Sequence, residues 1–152
     1  MHNPLSDAYI GPSAMSEVET QAIVNTLSEV KHRVKLFITL HSYGQYIAFP
    51  WGSKLGHIDE FYTLKAIGTR AADVIKNYSG TEYRVGSIIQ LMYPCTGNSV
   101  DWAYAELGVK HSFVIELRDK GREKFELDPR HIIPVGEETW NGIRSIIADI
   151  PQ

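Results

Sequence analysis

Hydrophobic residues recur at intervals of three and four in three stretches of the chain. Such spacing places them on one face of a helix, so the pattern predicts helices over about 17–30, 61–77 and 137–149. Ser16 and Glu19 have the spacing of a capping box at the start of the first helix. Ser79-Gly80 ends the second helix, and the third is expected to bury Trp140, Ile143, Ile146 and Ile147.

Apolar runs rich in β-branched residues occupy 34–40 and 112–117, and a third segment that reads as a short strand occupies 83–89. Runs of this kind predict strands, and those over 34–40 and 112–117 read as buried. Residues 3–15 and 41–57 are rich in glycine, proline and serine and read as loops. The alternation of strands and helices predicts an α/β fold in one domain, with a mixed, largely parallel sheet flanked by helices.

Polar side chains stand at the ends of the two buried strands. His41 directly follows the first strand, and Glu116 lies inside the end of the second. Because functional groups in open α/β sheets gather at the carboxyl ends of strands, these two side chains are expected to meet in one cleft. His41 is then either a metal ligand or a structural histidine. Glu116 is either a general base with a shifted pKa or the partner of a cation such as Arg118.

Three further features admit two interpretations each. His57 and Glu60 fit the pattern His-x-x-Glu of a metal site, but acidic residues also favour the start of a helix. Cys95, the only cysteine, is either a nucleophile or a small core residue. Tyr93 is either a phenol that closes over a substrate or a residue packed at a loop edge.

Composition excludes some classes of function. The 152 residues carry a net charge of −3, with 43% hydrophobic and 22% charged residues, which is ordinary for a globular domain. No basic patch predicts nucleic-acid binding, and no apolar run reaches the ~20 residues of a membrane span. The N-terminal residues 1–4 resemble neither a signal peptide nor a transit peptide.

Four segments in order resemble zinc metallocarboxypeptidases of the pancreatic carboxypeptidase A/B family. FITLHSYGQ (37–45), followed by FPWG, is similar to the strand and turn that carry a zinc histidine in that family. Residues 92–104 resemble its active-site loop and the following Asp-Trp helix start, and SFVIELRD (112–119) resembles its catalytic glutamate strand. Residues 133–140 resemble the start of its terminal helix. The chain is thereby identified as the C-terminal half of a single peptidase catalytic domain, over residues 1–152.

The resemblance implies a role for each matched residue. His41 would be a ligand of a catalytic zinc, the expected cofactor. Glu116 would be the general base that activates water for attack on the last peptide bond of a peptide or protein C-terminus. Tyr93 would close over the bound C-terminal residue, and Tyr43 would line the neighbouring subsite. The family also implies secretion, and cis peptide bonds at Ser42-Tyr43, Pro50-Trp51 and Arg118-Asp119.

The residues matched to the substrate pocket are mostly apolar. Val100 occupies the position where an acidic residue would pair with a C-terminal Lys or Arg. The resemblance adds to this pocket Ile88, Met92, Cys95 and Val114, with Asn98 as a polar exception. An unpaired cation in such a pocket costs several kcal/mol, on the order of what breaking a buried ion pair costs. A preference for apolar or aromatic C-terminal residues is therefore expected.

Parts of the family's active site have no counterpart in these 152 residues. The His-x-x-Glu zinc motif and the arginines that hold the substrate lie upstream of the matched segments in the family. We therefore expect the isolated chain to bind zinc weakly and to hydrolyse little. The alternative is a truncated, non-catalytic fragment of the same fold. Strands from that upstream part would also be missing, and an open sheet edge predicts self-association.

Overall fold

The computed structural model describes residues 4–5 and 9–151, so part of the predicted loop over 3–15 lies outside it. The strands are β1 (Leu36–Ser42), β2 (Tyr46–Phe49), β3 (Arg84–Ser87) and β4 (His111–Leu117). The helices are α1 (Val18–Val30), α2 (Phe61–Ser79), α3 (Ile88–Leu91), α4 (Ser99–Ala105) and α5 (Ile132–Ala148). Short 3-10 turns follow α1 and precede α5.

The four strands form one mixed sheet in the order β1-β4-β2-β3. β1 pairs with β4 and β2 with β3 in parallel, whereas β2 and β4 are antiparallel. The predicted fold class is thus confirmed. The chain leaves β1 and crosses over the end of β4, where the N–H groups of Gly44 and Gln45 both donate to the carbonyl of Leu117. This crossover puts consecutive strands on opposite sides of β4.

One face of the sheet packs against α2 and α5. Ile47, Phe49, Phe113 and Ile115 point to this face and are almost fully buried, because alternate residues of a strand share a face. α2 and α5 approach closely at Gly142, where an added Cβ would lie 2.7 Å from Ile75. The other face carries His41 and Glu116 and is covered by the segment from α3 to α4.

A buried ion pair ties the end of β4 to the helical layer. Glu138 of α5 is completely buried and accepts hydrogen bonds from Arg118 Nε at 2.7 Å and from Arg118 Nη2. Its Oε2 also accepts from the hydroxyls of Ser79 at 2.6 Å and Thr81 at 2.8 Å. The carboxylate therefore holds together the end of α2, the middle of α5 and the residue that follows β4.

The structure corrects several local predictions. β2 lies within 41–57, which was predicted as loop, because a strand of four residues between Gly44 and Pro50 is too short to show a pattern. β1 is half-buried to exposed rather than buried, since it stands at an edge of the sheet. The predicted capping box of Ser16 and Glu19 is wrong. Ser16 donates to the Glu17 side chain, and Glu17 is the N-cap residue, whose side chain accepts no hydrogen bond from the helix backbone.

The terminal helix differs from its prediction in start and in phase. It begins at Ile132 rather than near 137, and Pro134 is tolerated because N–H groups of the first turn have no partner within the helix. Trp140 is 56% exposed and Ile147 also faces solvent. The buried stripe instead runs through Val135, Glu138, Thr139, Gly142 and Ile146.

The three expected cis peptide bonds, at Ser42-Tyr43, Pro50-Trp51 and Arg118-Asp119, are all present. None of the helices among the described residues is long and apolar enough to cross a bilayer.

Candidate active site

His41 and Glu116 are direct neighbours across the pairing of β1 and β4. In a parallel pair, residues in register point to the same face, and adjacent strands lie about 4.8 Å apart. The imidazole and the carboxylate are therefore side by side on one face of the sheet. Tyr46 of β2 is the neighbour of Glu116 on its other side. β4 thus brings the carboxylate to the middle of the sheet's end.

Glu116 is buried, with 5% of its surface exposed. Burial raises the pKa of its carboxyl group above the ordinary value, and the charge of His41 offsets part of this rise. Arg118, the cation next to it in sequence, binds Glu138 instead. The interpretation of Glu116 as the partner of Arg118 is therefore wrong. A buried carboxylate with a raised pKa is a stronger base than an exposed one, which is the property that a general base needs.

His41 is exposed at the end of the edge strand, and its Nε2 lies 3.0 Å from the hydroxyl of Thr39. Histidine nitrogen is a common zinc ligand, so the donor type fits the expected metal. Within the described part of the chain, no three His, Cys, Asp or Glu side chains gather in a metal-binding group. His41 fits one position of a zinc site, and a catalytic site with three protein ligands needs two further donors.

An apolar cluster adjoins Glu116 on the same face of the sheet. Val114 precedes Glu116 by two residues and packs with Ile88 and Val100, all nearly inaccessible to solvent. The half-buried Met92 and Cys95 pack against this group, so five of the residues assigned to the pocket from sequence lie in one cluster. Ala48 of β2 belongs to it as well, as do Phe37 and Leu91.

Asn98 has a structural role beside this cluster. Its Oδ1 accepts from the Asp101 N–H at 2.8 Å as the N-cap of α4, and its Nδ2 donates to the Cys95 carbonyl at 2.7 Å. Both ends of the amide are therefore engaged. Asp101 in turn accepts from the N–H groups of Gly52 and Ser53 and fixes that turn beside the apolar cluster. A Cβ at Gly52 would come within 2.9 Å of both Asn98 and Ile88, so only glycine permits this approach.

Two tyrosines assigned to substrate contacts differ in their surroundings. Tyr93 lies in the segment between α3 and α4 and is 54% exposed. Tyr43 is half-buried in the crossover, and its ring meets Phe125 edge-on with centroids 5.1 Å apart. Tyr43 therefore has an aromatic partner beside the end of β4, whereas Tyr93 exposes more than half of its surface.

The remaining candidates have structural partners. His57 stacks on Phe61 with ring centroids 3.8 Å apart, and Glu60 accepts from the hydroxyl of Tyr104. These contacts favour the interpretation of 57–60 as a helix start. Burial raises the pKa of the Cys95 thiol, and the charges of Asp101 and Glu116 raise it further, which disfavours the thiolate that a nucleophile needs.

Sequence reasoning did not single out Thr39, Ala48 or Phe125, and it gave Asp101 only as part of the Asp-Trp helix start. Thr39 and Ala48 could have been found from strand alternation, because they share a face with His41 and with Val114. No local pattern indicates the contacts of Asp101 or Phe125, which join segments 49 and 82 residues apart. An apolar groove of about 470 Å³ between residues 10–17, α1 and the start of α4 contains neither His41 nor Glu116.

Comparison with known proteins places this arrangement in a family. The sequence profile described as zinc carboxypeptidase matches residues 1–142. The chain belongs to the zinc carboxypeptidase family. Carboxypeptidase A2 of Mus musculus is 46% identical over 148 residues, and carboxypeptidase B of Astacus astacus is 39% identical over 144. The two alignments cover 97% and 95% of the chain described here. They cover only 35% of the mouse protein and 48% of the Astacus astacus protein.

Solved structures agree with the sequence relatives. Bovine thrombin-activatable fibrinolysis inhibitor, in complex with tick carboxypeptidase inhibitor, superposes with a TM-score of 0.94 at 31% identity. Carboxypeptidase A from Helicoverpa armigera gives 0.88 at 28% identity. The two superpositions cover 97% and 98% of the chain described here. They cover 50% of the bovine protein and 38% of the Helicoverpa armigera protein. The chain thus spans between a third and a half of the relatives it matches.

Proposed function

We propose that this chain is the part of a zinc-dependent metallocarboxypeptidase that supplies the general base, one metal ligand and the pocket for the C-terminal side chain. The observation that carries the proposal is the register of His41 with Glu116 directly beside an apolar cluster. A nitrogen donor, a buried base and a binding surface then lie within one side-chain layer.

Each group has a task that follows from its surroundings. Bound zinc would polarise the substrate carbonyl and make water a stronger acid. The carboxylate of Glu116 accepts the proton of the attacking water and passes it to the leaving amine, and its raised pKa suits both transfers. Tyr93 reaches from an exposed segment over the bound residue, and Tyr43 with Phe125 contacts the residue before it.

The apolar cluster supports preference for an apolar or aromatic C-terminal residue. Val100 is buried, and the nearby carboxylate of Asp101 already binds the Gly52 and Ser53 N–H groups. A substrate Lys or Arg would thus lose its hydration without gaining a partner.

Peptides that differ only in a terminal Phe or Arg test this proposal in a longer polypeptide that contains the chain. Release of Phe should exceed release of Arg, Glu116→Gln should abolish both, and Glu126→Gln at an exposed position should leave both unchanged. Faster release of Arg would refute the pocket assignment, and full activity of Glu116→Gln would refute the role of the base.

The second candidate is a non-catalytic fragment of the same fold. It is favoured by the lack of a three-ligand group within the described residues. Zinc titration of a longer polypeptide that contains the chain discriminates between the two. Stoichiometric binding that His41→Ala removes supports the peptidase part, and no binding with no hydrolysis supports the fragment. An extracellular location stays a prediction, to be tested by fractionating source cells and medium.

A further inference from the structure

Thr39 and His41 are two residues apart on β1 and point to the same face of the sheet. The Thr39 hydroxyl lies 3.0 Å from Nε2 of the imidazole. This leaves Nδ1, the other ring nitrogen, without that contact. Thr39 itself is half-buried beside Val114, its neighbour on β4, whereas the ring of His41 is exposed. A fixed hydroxyl is therefore placed against one nitrogen of an otherwise exposed ring.

We propose that Thr39 is a positioning residue for His41, which keeps the ring proton on Nε2 and presents Nδ1 to a divalent metal ion. A neutral imidazole carries one proton, and only the nitrogen without it binds a metal. With the Thr39 oxygen as acceptor, Nε2–H is the favoured form and Nδ1 is the ligand atom. Metal-binding histidines are generally oriented in this way by an acceptor on the second nitrogen.

The edge position of β1 makes this contact more consequential than it would be in a core. An exposed imidazole on an edge strand has few packing contacts to choose between its two ring orientations. The hydrogen bond to Thr39 therefore bears directly on which ring nitrogen is free to bind a metal ion. The alternative, in which Thr39 donates to Nε2, would put the proton on Nδ1 and block that nitrogen. The inference rests on the proposed role of His41 as a ligand.

Long-range ¹⁵N–¹H NMR of the metal-free chain at about pH 8.5 reads the tautomer of His41 directly. Nε2–H should predominate in the native chain and in Thr39→Ser, which keeps the hydroxyl. In Thr39→Val, which keeps the β-branched shape, the ratio of the two tautomers should fall by about two- to tenfold, the value of one hydrogen bond. An unchanged ratio in Thr39→Val, or predominance of Nδ1–H in the native chain, would overturn the proposal.

Titration with Zn²⁺ adds a second measurement on the same variants. Thr39→Val should weaken the binding that depends on His41 by about tenfold, as loss of an orienting acceptor typically does, and Thr39→Ser should not. The Nδ1 resonance should shift on binding, and a shift of Nε2 instead would refute the proposal. If His41→Ala leaves zinc binding unchanged, the proposed peptidase role fails, and the tautomer measurement still decides the role of Thr39.

Discussion

Replacement of Glu138 by glutamine tests the buried ion pair behind the site. The change keeps the shape of the side chain but removes its charge and turns one acceptor into a donor that faces Arg118. Glu138 is 0% exposed and the Arg118 side chain 20% exposed, so the guanidinium would lose its partner with little access to water. Breaking a buried pair costs about 3–5 kcal/mol, and we expect about 3 because Arg118 keeps some hydration.

Urea denaturation followed by circular dichroism measures this loss. About 3 kcal/mol is a large fraction of the 5–15 kcal/mol typical of a domain, and lowers the melting temperature of a chain of this length by about 10 °C. Glu137→Gln is the matched control, because Glu137 is exposed and accepts from the Tyr78 hydroxyl at the surface. A loss below about 1 kcal/mol for Glu138→Gln, near that of the control, would refute the reasoning.

Two further measurements sharpen the test. Replacing both partners, as Arg118→Met with Glu138→Leu, should recover much of the stability, since no unpaired group stays buried. Burial alone raises the pKa of Glu138, but the bonds from Arg118, Ser79 and Thr81 lower it below its ordinary value overall. Its contribution is therefore present above the unfolded-state pKa and is lost as the pH falls through the folded-state pKa. Glu138→Gln should remove this acid-dependent loss.

Three other predictions concern the site and the sheet edge. Burial raises the pKa of Glu116, so the free energy of unfolding falls as the pH rises from the unfolded-state pKa to the folded-state pKa. When denaturation is measured at pH 4 and pH 8, Glu116→Gln should lack this fall. The same pH dependence in Glu116→Gln and the native chain would contradict the prediction. Leu40, on the edge strand β1, is 51% exposed, and Leu40→Lys should reduce self-association in sedimentation experiments. The control Ile133→Lys, on α5, should not. Unchanged association in Leu40→Lys would exclude the β1 edge as the contact surface. Asp101→Asn should cost about 1–2 kcal/mol of unfolding free energy and speed proteolysis after Lys54, and unchanged cleavage would argue against the anchoring of that turn.

The predictable parts of the fold were those whose signal is local. α2 shows its buried stripe over five turns and ends at Gly80, whose positive φ closes the helix, so both its face and its end could be read from the sequence. β2 could not, because four residues carry too short a pattern. The phase of α5 was also misjudged, because Glu138 is polar yet lies at the centre of the buried stripe, where Arg118 compensates its charge.

The same distinction applies to the candidate site. His41 and Glu116 could be placed together because each ends a recognisable apolar strand, and parallel strands end at the same edge. The choice of Glu138 over Glu116 as the partner of Arg118 depends on how α5 packs, which no local pattern encodes. Likewise, Asn98 was assigned to the pocket as a polar residue, and only the geometry of α4 makes it a helix cap.

The position of β4 between β1 and β2 has a consequence for how the site opens. β4 has hydrogen-bonded neighbours on both sides, whereas β1 has only β4 as a neighbour among the described strands. Amide protons of β1 should therefore exchange with deuterated solvent through local fraying, while those around Glu116 should exchange only when the whole sheet unfolds. Glu116 is thus set in the rigid middle of the sheet, and His41 is on the strand that detaches first.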